Sequence, residues 1–239
     1  MKLKFILSIL ITLVFFACKQ PLRPIVNEEG LSGPVKEKYD TVFQIFEKGD
    51  YSTITYKDTM LYYFERYSIS GKLWQAYMYE KDHTLIESVQ YSFNCDGSYK
   101  TAAYSKRDLD HSFREIYHYL YHDMVHIDRM RSTIKIGSFD VYYTDSGCQQ
   151  RLVEYDENDS IISDIHFDYD AYSYLKSEDY TLKNYSLTYS YVAYDSYENW
   201  TQRVTEYYLN DELITALFEK RTLIYYTPKE IENISRGVY

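Results

Sequence analysis

Residues 186–203, SLTYSYVAYDSYENWTQR, carry the pattern that decides the fold. A run rich in Tyr, Ser and Thr ends at Tyr194, and a second run begins at Trp200. Aromatic and β-branched residues favour strands. The Asp, Ser and Asn between the two runs supply the backbone conformations of tight turns. The stretch therefore predicts two antiparallel strands joined by a short turn.

The same alternation recurs along the chain. An aromatic residue precedes a turn at nearly regular intervals, at positions 67, 79, 93 and 104 and again at 143, 155 and 167. The turn-forming residues are Gly71, Asp82, Asp96-Gly97, Asp108, Gly147, Asn158-Asp159, Asp170 and Asn199. We therefore predict a mainly β fold, an antiparallel meander of consecutive hairpins. It would form one extended or curved, tyrosine-rich sheet, with little helix outside the N-terminal segment.

Two parts of the chain need a further argument. Between Tyr104 and Tyr143 the turns are less obvious. Tyr117 and Met130 divide this gap into three steps of 13 residues, close to the spacing of the turns elsewhere, so we expect strands here too. Segments 39–46 and 211–220 have apolar residues at helical spacing, yet both can equally be strands. The prediction leaves these two segments open.

Composition excludes one class of partner. Segment 1–17 contains two lysines and no acids, so the rest of the chain has 24 basic and 36 acidic residues and a net charge of −12. No basic stripe remains to neutralise phosphates, so we expect no nucleic-acid partner. The 31 tyrosines all follow residue 38. Because Tyr pairs an apolar ring with a polar hydroxyl, it suits a thin sheet with two partly exposed faces.

The N-terminus predicts export. Lys2 and Lys4 precede an apolar run at 5–16, which is too short to span a bilayer and typical of a signal peptide. Ala17-Cys18 then resembles a bacterial lipobox, which implies cleavage before Cys18 and lipid attachment to its thiol. We predict a signal peptide at 1–17, a lipidated cysteine and tether at 18–32, and a β-repeat domain at 33–239.

The residues after the cysteine bear on location. Residues 19–23, KQPLR, are basic, whereas surface-exposed lipoproteins of Bacteroidetes often carry acidic residues there. By that resemblance we expect an outer-membrane-anchored lipoprotein that faces the periplasm rather than the cell surface. The membrane would then be a partner through the lipid on Cys18.

Short motifs resemble a known family. Residues 194–203, YDSYENWTQR, resemble the repeat of YD-repeat, or RHS-like, lipoproteins of Bacteroidetes, and 155–159, YDEND, resemble a degenerate copy. Residues 33–36, GPVK, and 220–226, KRTLIYY, resemble the opening and closing strands of that family. Glu198 stands where the family usually has Gly. The resemblance implies a β-repeat sheet and, for most members, no known activity.

Candidate sites for chemistry are weak. His118, His122 and His126 are spaced four apart and could bind a metal ion beside Asp123 and Asp128, but a turn at His122 would break the geometry. Residues 156–160 begin like a calcium loop but lack its later Gly and Glu, so we expect a hairpin turn. No nucleophile, phosphate or dinucleotide motif occurs. We predict no catalytic site, no metal site and no cofactor.

The two remaining cysteines are expected to be free thiols. Cys95 and Cys148 would lie at turns on one edge of the sheet, four strand spacings apart, or roughly 19 Å. A disulfide needs Cα atoms within about 7 Å.

Two further sets of residues complete the predicted sites. Possible O-glycosylation sites are Thr41, Thr59 and Ser160, each in a three-residue stretch that resembles the O-glycosylation sequon of exported Bacteroidetes proteins. A possible aromatic binding face for sugars or peptides comprises Trp74, Tyr77, Tyr189, Tyr191 and Trp200. The alternative for the aromatic residues is that they stabilise the sheet as cross-strand pairs.

These observations favour a non-enzymatic, lipid-anchored envelope protein. It would act as a scaffold or binding surface for an unknown protein or glycan. An alternative is a periplasmic immunity or antitoxin-like protein whose acidic surface suits a basic toxin. A cleft hydrolase is a third, less favoured function.

Overall fold

The computed structural model describes residues 31–45, 56–107 and 112–236. In this part of the chain fourteen strands precede one short helix. The elements are β1 (Val35–Ile45), β2 (Tyr56–Tyr67), β3 (Leu73–Glu80), β4 (Leu85–Phe93), β5 (Tyr99–Lys106), β6 (Phe113–Tyr121), β7 (Met124–Arg131), β8 (Ile134–Tyr143), β9 (Gln149–Tyr155), β10 (Ile161–Tyr169), β11 (Leu175–Tyr180), β12 (Tyr185–Tyr194), β13 (Trp200–Leu209), β14 (Glu212–Tyr225) and α1 (Pro228–Ser235). The predicted signal peptide, Cys18, most of the tether and the turn at Asp108 lie outside the described residues.

Every strand pairs antiparallel with the next one in sequence, and β1 also pairs with β14, so that the sheet closes into a barrel. The β1–β14 register runs from Val35 opposite Tyr225 to Gln44 opposite Leu217. The predicted mainly β meander is confirmed. Closure goes beyond the predicted extended or curved sheet, because the two terminal strands pair with each other and leave no sheet edge.

Both segments left open by the sequence are strands. Segment 39–46 lies in β1 as far as Ile45, and segment 211–220 lies largely in β14. The region between Tyr104 and Tyr143 also forms strands, as predicted. Its turns are hard to read because two of them, at 122–123 and 132–133, have only two residues between strands.

The five-residue turns share one backbone pattern. In turn 195–199 the Asp195 amide donates to the Asn199 carbonyl at 2.9 Å, and equivalent bonds close turns 68–72, 94–98, 144–148, 156–160 and 170–174. The fourth residue of each turn has a positive φ. Glycine fills this position three times, whereas Glu198 is held there with φ 65°. The usual Gly of the resembled motif therefore corresponds to a real backbone requirement.

The end of the barrel at which β1 begins and β14 ends is called the tether end. The amide side chain of Asn199 accepts a hydrogen bond from the Ser32 amide at 2.6 Å and donates to the Ser32 carbonyl at 2.8 Å. Its Nδ2 also donates to the Tyr225 hydroxyl, which in turn donates to Asp195. These bonds fix the entering chain at the tether end.

Gly33 completes this attachment. The Tyr197 ring lies against it, and a Cβ added at Gly33 would approach the ring to 2.7 Å. Gly33 also has φ 78°, so a larger residue would meet both a steric and a backbone obstacle.

Helix α1 was not predicted. Its N-cap is Thr227, whose hydroxyl accepts a hydrogen bond from the Glu230 amide while the Glu230 carboxylate accepts one from the Thr227 amide. Thr227 and Glu230 thus form a capping box, and Pro228 occupies the first helical position, where proline is favoured. Both signals are visible in the sequence. Lys36 pairs with Glu230 at 2.8 Å and joins the helix to β1. Among the described residues, no helix has the length and apolar character needed to cross a bilayer.

Replacing the strained turn residue should stabilise the barrel. Glu198→Gly removes the left-handed strain of a side chain that lies in solvent, so the free energy of unfolding should rise by about 1 kcal/mol. Gly71→Ala is the matched control, since a Cβ there meets nothing within 4 Å and only the backbone effect remains. It should destabilise by a similar amount. Denaturant unfolding measures both, and a loss of stability in Glu198→Gly would contradict the assignment.

Candidate functional site

Alternate residues of each strand face the barrel interior. In β1, Lys38, Asp40 and Val42 point inward and are almost fully buried, whereas Tyr39 faces outward and is 40% exposed. Two cavities lie among the inward side chains of the described strands. The first cavity, lined from β2 to β9, measures about 340 Å³, and the second, between β1–β2 and β12–β14, about 380 Å³.

The first cavity has two unlike walls. One wall, from β7, β8 and β9, is apolar and comprises Ile127, Phe139, Val141 and Leu152. The adjoining wall, from β4, β5 and β6, is made of tyrosines, namely Tyr91, Tyr99, Tyr104 and Tyr117. Apolar surface with a few polar groups that converge on it is the usual composition of a small-molecule site.

An ion pair forms the floor of the first cavity. Arg129 lies 3.3 Å from Glu115 and 3.4 Å from Glu154, and its guanidinium stacks over Phe139 at 4.2 Å. Burial raises the pKa of Glu115, while the guanidinium and the hydroxyls of Tyr104 and Tyr117 oppose that shift by donating hydrogen bonds. The Glu115 carboxylate is therefore satisfied within the wall.

The first cavity reaches the tether end. Five lining residues are the first or last residues of their strands at this end: Tyr67, Leu73, Tyr99, Tyr143 and Gln149. Floor residues Glu115 and Arg129 lie toward the other ends of β6 and β7. We call the part of the cavity that these five residues line its mouth. The ion pair lies nearer the opposite end of the barrel, where the side chains of Arg129 and Glu154 are 29% and 28% exposed.

Buried charges separate the two cavities. Lys38 lies 2.8 Å from Glu65 and 3.5 Å from Asp40, and Asp40 receives two hydrogen bonds from Arg221 at 2.8 and 2.9 Å. Glu65 lines both cavities, so this cluster stands between them. Trp200 is 2% exposed and covers the Arg221 guanidinium, with its ring centroid 3.4 Å away.

The second cavity is more polar than the first. Its lining includes Lys38 and Asp40 of the charged cluster and the Arg203–Glu219 pair, which is joined by two hydrogen bonds at 2.8 and 3.0 Å. Its residues come from the middle of strands rather than from their ends.

Comparison with known proteins gives a limited result. No protein-family model matches the chain, and no curated protein matches it. Among solved structures, a porin-like protein from Bacteroides uniformis ATCC 8492 is similar with a TM-score of 0.46 and 8% identity, covering 81% of this chain and 99% of that one. A DUF1329 family protein from Desulfovibrio piger ATCC 29098 has a TM-score of 0.32 and 9% identity, covering 87% and 91%. At these scores neither likeness assigns a function. Membership of the YD-repeat family stays a prediction.

The predicted aromatic face is not one surface. Tyr189, Tyr191 and Trp200 lie in the interior, where Tyr191 and Trp200 have ring centroids 6.0 Å apart. Tyr77 faces outward and stacks on Phe64 at 5.7 Å, and Trp74 is 40% exposed beside a β-bulge. The five residues are separated because the sheet closes. One face of each strand then lies inside the barrel and the other face lies on its outer wall. Cross-strand aromatic pairs, the alternative, do occur.

Two of the three histidines come together, and Asp128 lies within 3.3 Å of both, but His122 does not join them. His118 and His126 are cross-strand neighbours on the outer wall, with His118 3.0 Å from Asp128 and His126 2.7 Å from Asp140. His122 lies in the two-residue turn, as anticipated. In residues 31–45, 56–107 and 112–236, no group of three His, Cys, Asp or Glu side chains could hold a metal ion.

The remaining predicted positions are surface features. Thr41 and Thr59 lie half-buried in β1 and β2, and Ser160 is exposed in a turn. Cys95 and Cys148 are free thiols in two separate turns of the tether end. Turn 156–160 is a hairpin connection in which Asp156 accepts hydrogen bonds from backbone amides, as expected. Glycosylation stays a prediction, and Cys18 lies outside the described residues.

Removing one charge from the buried cluster of Lys38, Asp40, Glu65 and Arg221 should destabilise the barrel. Asp40→Ala leaves Arg221, whose side chain is fully buried, without its bidentate carboxylate, and we expect a loss of about 3–5 kcal/mol in the free energy of unfolding. Asp168→Ala breaks an exposed pair with Lys176 and should cost less than about 1 kcal/mol. Denaturant unfolding of both variants measures the difference. Equal losses would show that the cluster does not contribute as described.

Interior tyrosines should ionise late. Burial raises the pKa of Tyr191 and Tyr207 to about 12, and that of Tyr189 well above its usual range. Because the folded-state pKa exceeds the unfolded value of about 10, their contribution to stability is complete below pH 10 and is lost as the pH rises through about 12. An ultraviolet titration should show a late class of phenols in native protein and a single class in denaturant. One transition near pH 10 in native protein would contradict this.

Proposed function

We propose that this chain is a non-enzymatic envelope protein, held at a membrane by lipid on Cys18, whose barrel binds a small molecule. The observation that carries the proposal is the first cavity. It combines a tyrosine wall, an apolar wall and a mouth formed by the ends of five strands. This internal site is proposed beside the predicted binding surface for a protein or glycan, which stays a prediction.

A binding role suits the chemistry of the first cavity better than catalysis. A general base needs a carboxylate that can accept a substrate proton. One Glu115 oxygen accepts hydrogen bonds from Tyr104 and Tyr117, and the other accepts one from Arg129. Both oxygens are engaged within the wall, so Glu115 shapes the cavity rather than acting on a ligand.

The outer wall supports attachment by lipid. A row of outward residues crosses β6 to β10 at mid-strand, and all but Val153 are ionisable: His118, His126, Asp140, Val153 and Asp164. Charged side chains on a lipid-facing wall cost about 2–4 kcal/mol each at mid-bilayer for basic residues and less for acidic ones. This part of the outer wall suits water, and a separate anchor such as lipidated Cys18 would hold the protein at the membrane.

The basic residues after Cys18 favour the periplasmic face of the outer membrane over the cell surface. This location rests on the sequence of residues 19–23. Because Ser32 is bound to Asn199, a tether from Cys18 would join the barrel at the tether end.

Removing the predicted lipid site should release the protein. We expect the wild type to sediment with membranes and to resist protease in intact cells, whereas Cys18→Ser should become soluble. Cys95→Ser is the matched control, because Cys95 is an exposed free thiol in a turn. It should fractionate like the wild type.

Two results would count against parts of this proposal. If wild type and Cys18→Ser fractionate alike, Cys18 is not the anchor. If the wild type is membrane-bound but cleaved by protease on intact cells, the protein faces the cell surface and the periplasmic assignment is wrong.

A further inference from the structure

The mouth of the first cavity and the attachment of the tether lie at the same end of the barrel. Tyr67, Leu73 and Tyr143 line the mouth at strand ends, and Ser32 is bound to Asn199 at that end. Residues 19–32 can span at most about 50 Å when fully extended. A ten-residue strand such as β8 rises about 33 Å, so the opposite end lies about that far from the point where the tether joins the barrel.

The carboxylates in and beside the first cavity each have a cationic partner in the barrel wall. Glu115 and Glu154 flank Arg129, and Glu65 pairs with Lys38. A ligand that brought a negative charge would meet these carboxylates, and a cation would compete with Arg129 for them. The cavity therefore suits an uncharged molecule.

The floor also offers a hydrogen-bond donor. Arg129 Nε is buried, and no described residue accepts a hydrogen bond from it. An unsatisfied buried N–H is unfavourable, and a ligand oxygen that reached the floor could relieve that cost. The tyrosine and apolar walls between floor and mouth would then enclose a flat apolar body.

Resting on the proposed function, we infer that the first cavity takes an uncharged amphipathic molecule through the tether end. The molecule has a flat apolar body and an oxygen acceptor, and the acceptor points toward Arg129. Because the mouth lies at the end that the tether joins, we expect the bilayer to supply the ligand.

A fluorescent ketone tests the ligand chemistry. Prodan is flat and uncharged, carries one carbonyl oxygen, and emits at shorter wavelength in an apolar site. The soluble Cys18→Ser protein should bind it saturably at one site. Leu152→Trp fills the first cavity and should weaken binding at least about tenfold, a loss of about 1.4 kcal/mol. Leu217→Trp fills the second cavity and is the matched control, with binding unchanged.

Two further experiments test the contact of the ligand's oxygen with Arg129 and the charge of the ligand. Arg129→Lys keeps the charge but removes Nε, so prodan affinity should fall several-fold. The anionic probe 8-anilinonaphthalene-1-sulfonate, of similar size, should bind at least about tenfold more weakly than prodan. Circular dichroism and denaturant midpoints confirm that each variant is folded. Equal binding of the two probes, or a loss in Leu217→Trp rather than Leu152→Trp, would overturn the inference.

Energy transfer distinguishes the bilayer from solution as the source. The lipidated protein is bound to phosphatidylcholine vesicles whose headgroups carry an acceptor dye. The donor dye is attached to Cys95, at the tether end, in a Cys148→Ser variant. The control carries Thr133→Cys, in the turn at the opposite end, with both Cys95 and Cys148 replaced by Ser. Stronger transfer from Cys95 supports supply from the bilayer, and equal or weaker transfer overturns it. These results are independent of cell fractionation, so failure of the ligand class and failure of the anchor are separable.

Discussion

The pairing of β1 with β14 is the constraint on which the rest of the structure depends. It removes both sheet edges and defines an inside, and the Asp40–Arg221 contact crosses this seam with two hydrogen bonds. Lys38 extends the contact to Glu65 on β2. Isolated buried charges are strongly unfavourable, so this cluster tolerates few alternatives to the native register. The division of the interior into two cavities follows from the same cluster.

Local features of this fold were readable from the sequence, and its closure was not. Turn residues such as Gly97 and Asn199 mark hairpins because their effect acts within a single short turn. The seam joins residues about 180 positions apart, and no local signal reports such a pairing. Helix α1 was not predicted although Thr227 and Glu230 form a capping box. It has only eight residues, which are too few to show a clear helical periodicity.

The candidate site could be predicted only in part, for a physical reason. Alternation in β1 shows that Lys38 and Asp40 share a face with Val42, but charged residues normally mark the solvent side of a strand. Here that face is the interior, because each charge has a partner on a neighbouring strand. Glu115 and Arg129 are also cross-strand partners, and neither lies in a recognisable motif. Tyrosine explains how such an interior is filled, since its hydroxyls reach the buried carboxylate of Glu115 and the half-buried carboxylate of Glu178 while its rings occupy space.

The meander order of the strands has a consequence for how the barrel assembles. Each hairpin joins neighbours in sequence and has a low cost of loop closure, whereas the β1–β14 seam must bring together the two ends of the domain. We expect hairpins to form first and the seam to form last. Until then β1 and β14 would expose open edges that can recruit other chains. The interval between synthesis and seam closure is therefore the stage at which this protein is most vulnerable to aggregation, and at which a chaperone would be of most use.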